Sequence, residues 1–297
     1  MKHAMLGVGA IGGLVGTALG SLGEEVTVIV RPESLRDYPK TLTLERPSGT
    51  LTAPAKAVST LTTLVDVLWI ATKTYQVQDA LRSVQTAPEC VIPLLNGVDH
   101  MALLRQRFGN DRVVAGAIAV EAERIAPGKF VQRSPLLRLN LGSAAEAKLG
   151  PIVARLANLG FVCQFIPNEQ TLLWGKLCFL GPFALVNSAS GLNIGEILAN
   201  AEWKQKLMTA ITETCAVAKA SGAEVDAGKV QAGFAGAPPV MRSSMQKDLV
   251  AGRRLELDAI GGPIVRGGER FGIDVSTTKK LMAAIQEKTL QLAGKAV

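Results

Sequence analysis

Histidine is nearly absent from this chain: His3 and His100 are the only two among 297 residues. A three-histidine metal site is therefore excluded, and no metal is expected. A serine–histidine–acid hydrolase would have to rest on one of those two, and no Gly-x-Ser-x-Gly turn accompanies either. Cysteine is sparse as well: Cys90, Cys163, Cys178 and Cys215 stand far apart without Cys-x-x-Cys spacing. That pattern suits reduced thiols and predicts a cytoplasmic protein. Aromatic residues make up 4%, and no run of Lys and Arg exceeds the pairs Arg253-Arg254 and Lys279-Lys280. The net charge of +7 is thus not gathered on one element, as a nucleic-acid binder requires, and reads as a mild field drawing in small anions. The longest apolar run, Leu172 to Val186, has 15 residues and contains Lys176 and Pro182, too short to span a bilayer. The N-terminal apolar stretch is dominated by glycine and does not read as a signal peptide. Neither nucleic acid nor membrane is an expected partner.

What is present is a chain rich enough in hydrophobic residues, at 48%, to build real cores. Its length favours two domains. Ala4-Met5-Leu6 reads as a strand, followed by Gly7-Val8-Gly9-Ala10-Ile11-Gly12 and a small-residue helix to Leu22. Gly23 ends the helix, and Val26–Val30 reads as a second strand. Strand, glycine turn, helix, strand is the context that gives a GxGxxG pattern its meaning. Gly7 permits the tight turn, Gly9 lets a pyrophosphate approach the backbone, and Gly12 lets the helix sit close to the sheet. The helix N-terminus offers free N–H groups and partial positive charge. Gly16 and Gly20, each costing about 1 kcal/mol against Ala in a helix, predict further close packing.

The cofactor's identity is read from the end of the second strand. An NAD enzyme places a carboxylate there, whereas this strand ends in Arg31, with Arg36 nearby. A guanidinium pairs with a 2′-phosphate, so NADPH is the expected cofactor. Glu33 is the counter-argument, but it lies beyond Pro32 and is expected to point elsewhere. The sheet is expected to continue through Val65–Ala71, Cys90–Leu95 and Val113–Ala117, with helix-length gaps and a small hairpin between Thr41 and Thr52. Lys73 and Asn96 fall just past strand ends, where open α/β sheets bind ligands. On position alone, a solvated lysine and a turn asparagine before Gly97 remain open alternatives.

From about Asn168 helix-length segments dominate, at 169–187, 202–221, 243–251, around 254–270 and 275–293. The expected architecture is α/β: a Rossmann-type dinucleotide-binding domain over 1–167 and an all-helical substrate domain over 168–297. The boundary reads as a joint rather than a tether, with a ligand cleft expected between the domains. Lys176 is the only charge between Leu172 and Val186. It must snorkel to water, pair with a carboxylate or face a polar cleft. Burial also lowers an ammonium's pKa toward the working pH, which makes it a better proton donor. Glu256, in Leu255-Glu256-Leu257, reads locally as a solvated helix charge.

Together these pieces resemble the ketopantoate reductase (2-dehydropantoate 2-reductase) family over nearly the whole chain. The matching residues are Gly7 to Gly12, Arg31, Lys73-Thr74-Tyr75-Gln76, Asn96-Gly97, Ala122 with Pro127-Gly128, Lys176-Leu177, Ser243-Ser244-Met245, Asp248, Gly252-Arg253, Glu256 and Asp258. The resemblance implies that Lys176 is the general acid and that Glu256 hydrogen-bonds the bound substrate. It implies that Ser244 binds the substrate carboxylate and that Arg31 meets the 2′-phosphate. Lys73 and Asn96 would contact cofactor and substrate near the nicotinamide, with Gln76 and Ala122 among the cofactor contacts.

The implied activity is NADPH-dependent reduction of ketopantoate to pantoate, a step of pantothenate and coenzyme A synthesis, by a monomer or homodimer. Leu180, Ala184, Ile194 and Met241 stand where the family pattern has asparagines, and all four are expected in the substrate pocket. Each polar substrate group left unpaired there would cost about 1–3 kcal/mol. A less polar 2-oxo acid is therefore the alternative substrate. A non-catalytic NADPH-binding redox sensor is the alternative in another class, and Lys176 with Glu256 argues against it.

Overall fold

The computed structural model describes residues Met1–Gly294. The chain divides into two compact units: Met1–Leu95 with His100–Leu172, and Asn96–Asp99 with the residues from Leu173 onward.

The first unit is α/β. In chain order it comprises β1 (Lys2–Leu6), α1 (Ala10–Ser21), β2 (Glu25–Ile29), α2 (Pro32–Leu35), β3 (Thr41–Glu45), β4 (Leu51–Pro54), β5 (Lys56–Val58), β6 (Val67–Ile70), α3 (Val77–Ala80) and β7 (Cys90–Pro93). It continues with α4 (His100–Phe108), β8 (Gly116–Ala126), β9 (Lys129–Gly142), α5 (Glu146–Ala157) and β10 (Val162–Ile166). One sheet has the order β5-β2-β1-β6-β7 with every pairing parallel. The chain enters at the central β1, winds outward through β2 and β5, and returns to β6 on the other side. The strand order therefore reverses at β1, where doubly wound sheets bind ligands beyond the carboxyl ends. His3, Met5, Val67 and Trp69 are buried alongside Ala4, Leu6, Leu68 and Ile70, as a sheet covered on both faces requires.

A second sheet has the order β10-β9-β3-β4, with β8 antiparallel to β9. The predicted hairpin is β3–β4, with Thr43 opposite Thr52, and it belongs to this sheet. Two expectations are corrected here. Val113–Ala117 does not extend the parallel sheet: only an isolated bridge joins Val113 to Val91, and Gly116–Ala126 pairs with β9 instead. Between β6 and β7 the gap holds the one-turn α3 and two short 3-10 turns rather than a full crossover helix.

Helix α1 lies between the sheets, and its glycines make this possible. A Cβ on Gly16 would sit 3.1 Å from Met5 of β1, one on Gly20 2.6 Å from Ala53 of β4, and one on Gly13 2.0 Å from the Phe130 ring of β9. Gly12 to Gly20 are all buried.

The second unit is helical: α6 (Glu169–Ser190, entering the unit at Leu173), α7 (Ile194–Ala199), α8 (Ala201–Ala220), α9 (Ala227–Gly233), α10 (Ser244–Val250), α11 (Leu257–Phe271) and α12 (Ser276–Gly294). The short α7 and α9 were not foreseen. Helix α6 is 22 residues, longer than the apolar run that marks it, and by length and composition alone it could cross a membrane. However, 78% of its most apolar window is buried, with Cys178, Ala184, Leu185 and Val186 in the core of this unit. Phe179 stacks on Phe234 at 4.1 Å, with Phe183 tilted against both. The Glu213 carboxylate of α8 accepts from the backbone N–H of Thr277 and Thr278 and from the Thr278 hydroxyl. This caps α12 from a neighbouring helix.

Candidate functional site

In the first unit the glycine turn follows β1 directly. Gly7 has φ +92°, and a Cβ there would lie 2.7 Å from the backbone of Thr72, so both torsion and space require glycine. A Cβ on Gly12 would lie 2.1 Å from the Gly7 carbonyl oxygen, which locks the first turn of α1 onto the loop. Gly9 is different: a Cβ there would meet nothing within 4 Å. It is also the N-cap of α1, and no side chain caps the helix. Free N–H groups beside an uncrowded glycine suit an anion that approaches the backbone closely. The protein's own packing gives no reason for a glycine at this position. Val8 is buried and Ile11 packs against the core, so those side chains serve the fold and Val8, Ala10 and Ile11 have only backbone to offer a ligand.

Arg31 follows β2 and is the N-cap of α2, its side chain 80% exposed. Glu33 does not point elsewhere, as the sequence suggested. Its carboxylate lies 3.4 Å from Arg31 Nε, an exposed pair of small energetic weight. Lys73 is partly buried and stands at the N-cap position of the 3-10 turn Thr74–Gln76 after β6, with Gln76 exposed on that turn. Gly7, Arg31 and Lys73 thus follow the carboxyl ends of the adjacent strands β1, β2 and β6. Ala122 lies apart in sequence, on β8 opposite Gln132 and next to a register shift, packed against the core of this unit. A cavity lined by Lys2, Gly23, Glu25, Val65, Asp66 and Glu89 opens at the amino ends of the same strands. That is the wrong end of the sheet for a dinucleotide.

The second unit brings together three of the predicted residues. Lys176 Nζ donates to Asn96 Oδ1 at 3.0 Å, and Asn96 Nδ2 donates to Glu256 Oε2 at 3.1 Å. Asn96 belongs to this unit through the short segment Asn96–Asp99. Glu256 is 6% exposed and occupies the N-cap of α11, so it is not the solvated helix charge that its flanking leucines suggested. Burial pushes the Lys176 ammonium down to about 8, and the Glu256 charge opposes that fall. A cationic donor of that acidity, held by an amide that is itself held by a carboxylate, is suited to give up a proton near neutral pH. Ser244 is exposed at the first position of α10, after Ser243, whose hydroxyl accepts from Gln246 N–H.

The four positions that depart from the asparagine pattern do not share one environment. Ala184 and Ile194 are fully buried in the core of the unit, which corrects their expected place in a pocket. Leu180, one helical turn after Lys176, and Met241 are partly buried at the core's edge. A buried amide that sequence reasoning missed is Asn187. Its Oδ1 accepts from the N–H and hydroxyl of Ser243, and its Nδ2 donates to the Leu192 carbonyl. The signal was an asparagine directly after the apolar run Leu172–Val186. Its partners make it a brace for the start of α10.

Comparison with known proteins agrees across both units. Residues 3–146 match the family described as ketopantoate reductase PanE/ApbA, and residues 168–289 match its C-terminal counterpart. A 2-dehydropantoate 2-reductase of Caulobacter vibrioides is 31% identical, the match covering 97% of this chain and 99% of the relative. The crystal structure of a PanE/ApbA family ketopantoate reductase from Ralstonia eutropha is similar with a TM-score of 0.85 at 25% identity, covering 98% of this chain and 99% of that one. A D-mandelate dehydrogenase solved with NADH and anilino(oxo)acetate has the same fold, with a TM-score of 0.86 at 23% identity over 99% of this chain and all of that one.

Proposed function

The chain belongs to the ketopantoate reductase PanE/ApbA family of oxidoreductases, and from that premise we propose that it reduces a 2-oxo acid to a 2-hydroxy acid with NADPH. Ketopantoate, in pantothenate synthesis, is the leading substrate. The observation that carries this reading is the Lys176–Asn96–Glu256 relay, with an ammonium near 8 at its head.

The residues around the glycine turn fit a dinucleotide. The N–H groups at the start of α1, beside the uncrowded Gly9, would hold its pyrophosphate, and Arg31 would pair with a 2′-phosphate. Lys73, Gln76, Asn96 and Ala122 complete the proposed cofactor set. A nicotinamide held there would supply hydride for the ketone carbon. Lys176 faces the carbonyl oxygen, stabilises the negative charge that grows there, and donates its Nζ proton to leave the hydroxyl. Asn96 keeps the ammonium from turning away, and Glu256 orients Asn96 and accepts from the substrate hydroxyl. Ser244 is assigned to the substrate carboxylate. A redox sensor without catalysis would have no use for a partly buried lysine held in this way.

Leu180 favours a second reading of the substrate. It lies on the same face of α6 as Lys176, one turn on, and is partly exposed there. An apolar side chain at that place suits a less polar 2-oxo acid. The test is a panel of 2-oxo acids, from ketopantoate to alkyl and aryl analogues, followed by loss of NADPH absorbance. Consumption with at least one member is expected, and none across the panel would remove the reductase reading.

A further inference from the structure

The segment that delivers Asn96 is pinned to α11 at three places. At its start, Asn96 bonds Glu256, the N-cap of that helix. In its middle, Gly97 has φ +81°, and a Cβ there would lie 2.1 Å from the Ala259 carbonyl oxygen, so the backbone rests directly on the first turn. At its end, the Asp99 carboxylate accepts from Arg266 at 2.5 Å, and the same guanidinium donates to Asp258 at 2.8 Å. Nothing local announces the last contact, since Asp99 and Arg266 are 167 positions apart.

We propose that Arg266 is a positioning residue for the reduction: by clamping Asp99 to α11 it fixes the Asn96–Asp99 segment, and so the amide that holds Lys176. The inference rests on the reductase reading for its consequence but not for its geometry. Four residues with a chain exit at each end have little stiffness of their own. The Arg266–Asp99 pair ties the far end of the segment to α11, as the Asn96–Glu256 bond ties its start. The first tie is the amide itself, the middle one is steric contact, and Arg266 supplies the far one. Two carboxylates hold the guanidinium in place from different sides, Asp258 from its own helix and Asp99 from the segment. The Arg266 side chain is half exposed, so its removal leaves no cavity and no buried charge. Its effect should therefore appear in the alignment of the relay rather than in the fold. A misplacement of about 1 Å at a reacting group is enough to slow catalysis roughly 100-fold.

The test compares the native chain with Arg266→Met and Arg266→Lys. Two readings are taken on each: kcat with an accepted 2-oxo acid at saturating NADPH, and the Lys176 titration followed by NMR of 13C-labelled lysine side chains, assigned with Lys176→Met. Arg266→Met is expected to melt near the native temperature and bind NADPH unchanged. Its kcat should fall roughly 10- to 100-fold. Its Lys176 titration should move to lower pH, because the ammonium loses its acceptor. Arg266→Lys, which can still reach Asp99, should recover most of both. A folded Arg266→Met with native kcat and an unmoved titration overturns the clamp. If no 2-oxo acid is reduced by the native chain yet the titration still moves in Arg266→Met, the clamp stands and the reductase reading falls.

Discussion

Lys176 and Asn96, 80 positions apart, meet at 3.0 Å, and through that bond a helix-borne ammonium becomes linked to a carboxylate at the start of another helix. Lys176 is partly buried, and the loss of water around its ammonium lowers its pKa while Glu256 limits the fall. Asn96 is the only part of this relay that is neutral, so it aligns the charges without neutralising either.

Replacing Asn96 by Ala removes an acceptor from the ammonium and a donor from Glu256. A hydrogen bond to a charged group contributes about 1.5–3 kcal/mol, equivalent to roughly 10- to 150-fold in rate if it is realised at the transition state. Steady-state kinetics of Asn96→Ala should show a loss of kcat in that range, larger than any loss of NADPH affinity. Native kcat in the variant would place Asn96 outside the relay.

Arg31 is exposed and paired loosely with Glu33, so a 2′-phosphate would compete with Glu33 for it. Arg31→Ala is expected to weaken NADPH binding about 10-fold or more while leaving NADH binding nearly as it was. Glu33→Gln should strengthen NADPH binding slightly. Fluorescence titration with both dinucleotides measures the ratio, and equal losses for the two would contradict the role assigned to Arg31.

His3 ties stability to pH. Its ring is fully buried, with Nδ1 accepting from Trp69 Nε1 at 3.1 Å. Burial lowers its pKa to about 4, against the pull of Glu24. The unfolded chain takes up a proton near 6.5 and the folded chain does not. Stability from this group is therefore complete above pH 6.5 and lost as pH falls toward 4, by roughly 3 kcal/mol in all. Urea unfolding between pH 4 and 7 should show that slope, and His3→Gln, which keeps an acceptor near Trp69, should flatten it. An equal slope in both proteins would show that other groups set the acid limit.

Much of the fold was legible because its signals are local. The glycine turn marked α1, and helical periodicity marked α8 and α12 within a residue or so: 202–221 against Ala201–Ala220, and 275–293 against Ser276–Gly294. The second sheet was not legible. Strand β9 takes β8 as partner along one side and β3 and β10 on the other, and such pairings leave no trace in a short window. Nothing near Gly13 announces the Phe130 ring it must accommodate. The site divides in the same way. Lys176 stood out as one charge in an apolar run, whereas Glu256 between two leucines looked like helix surface. An amide that partners Glu256 comes from 160 positions away.

The most direct test of the account is the pH dependence of kcat for NADPH-driven reduction, measured for the native protein and for Lys176→Ala. A general acid must be protonated to act, so turnover should be flat below pH 8 and fall as pH rises through about 8, where the ammonium loses its proton. Lys176→Ala should be slower by about 100- to 10,000-fold, without that alkaline limb and with NADPH binding intact. An alkaline limb that persists in Lys176→Ala, or turnover equal to native, would contradict the assignment of this lysine as the proton donor.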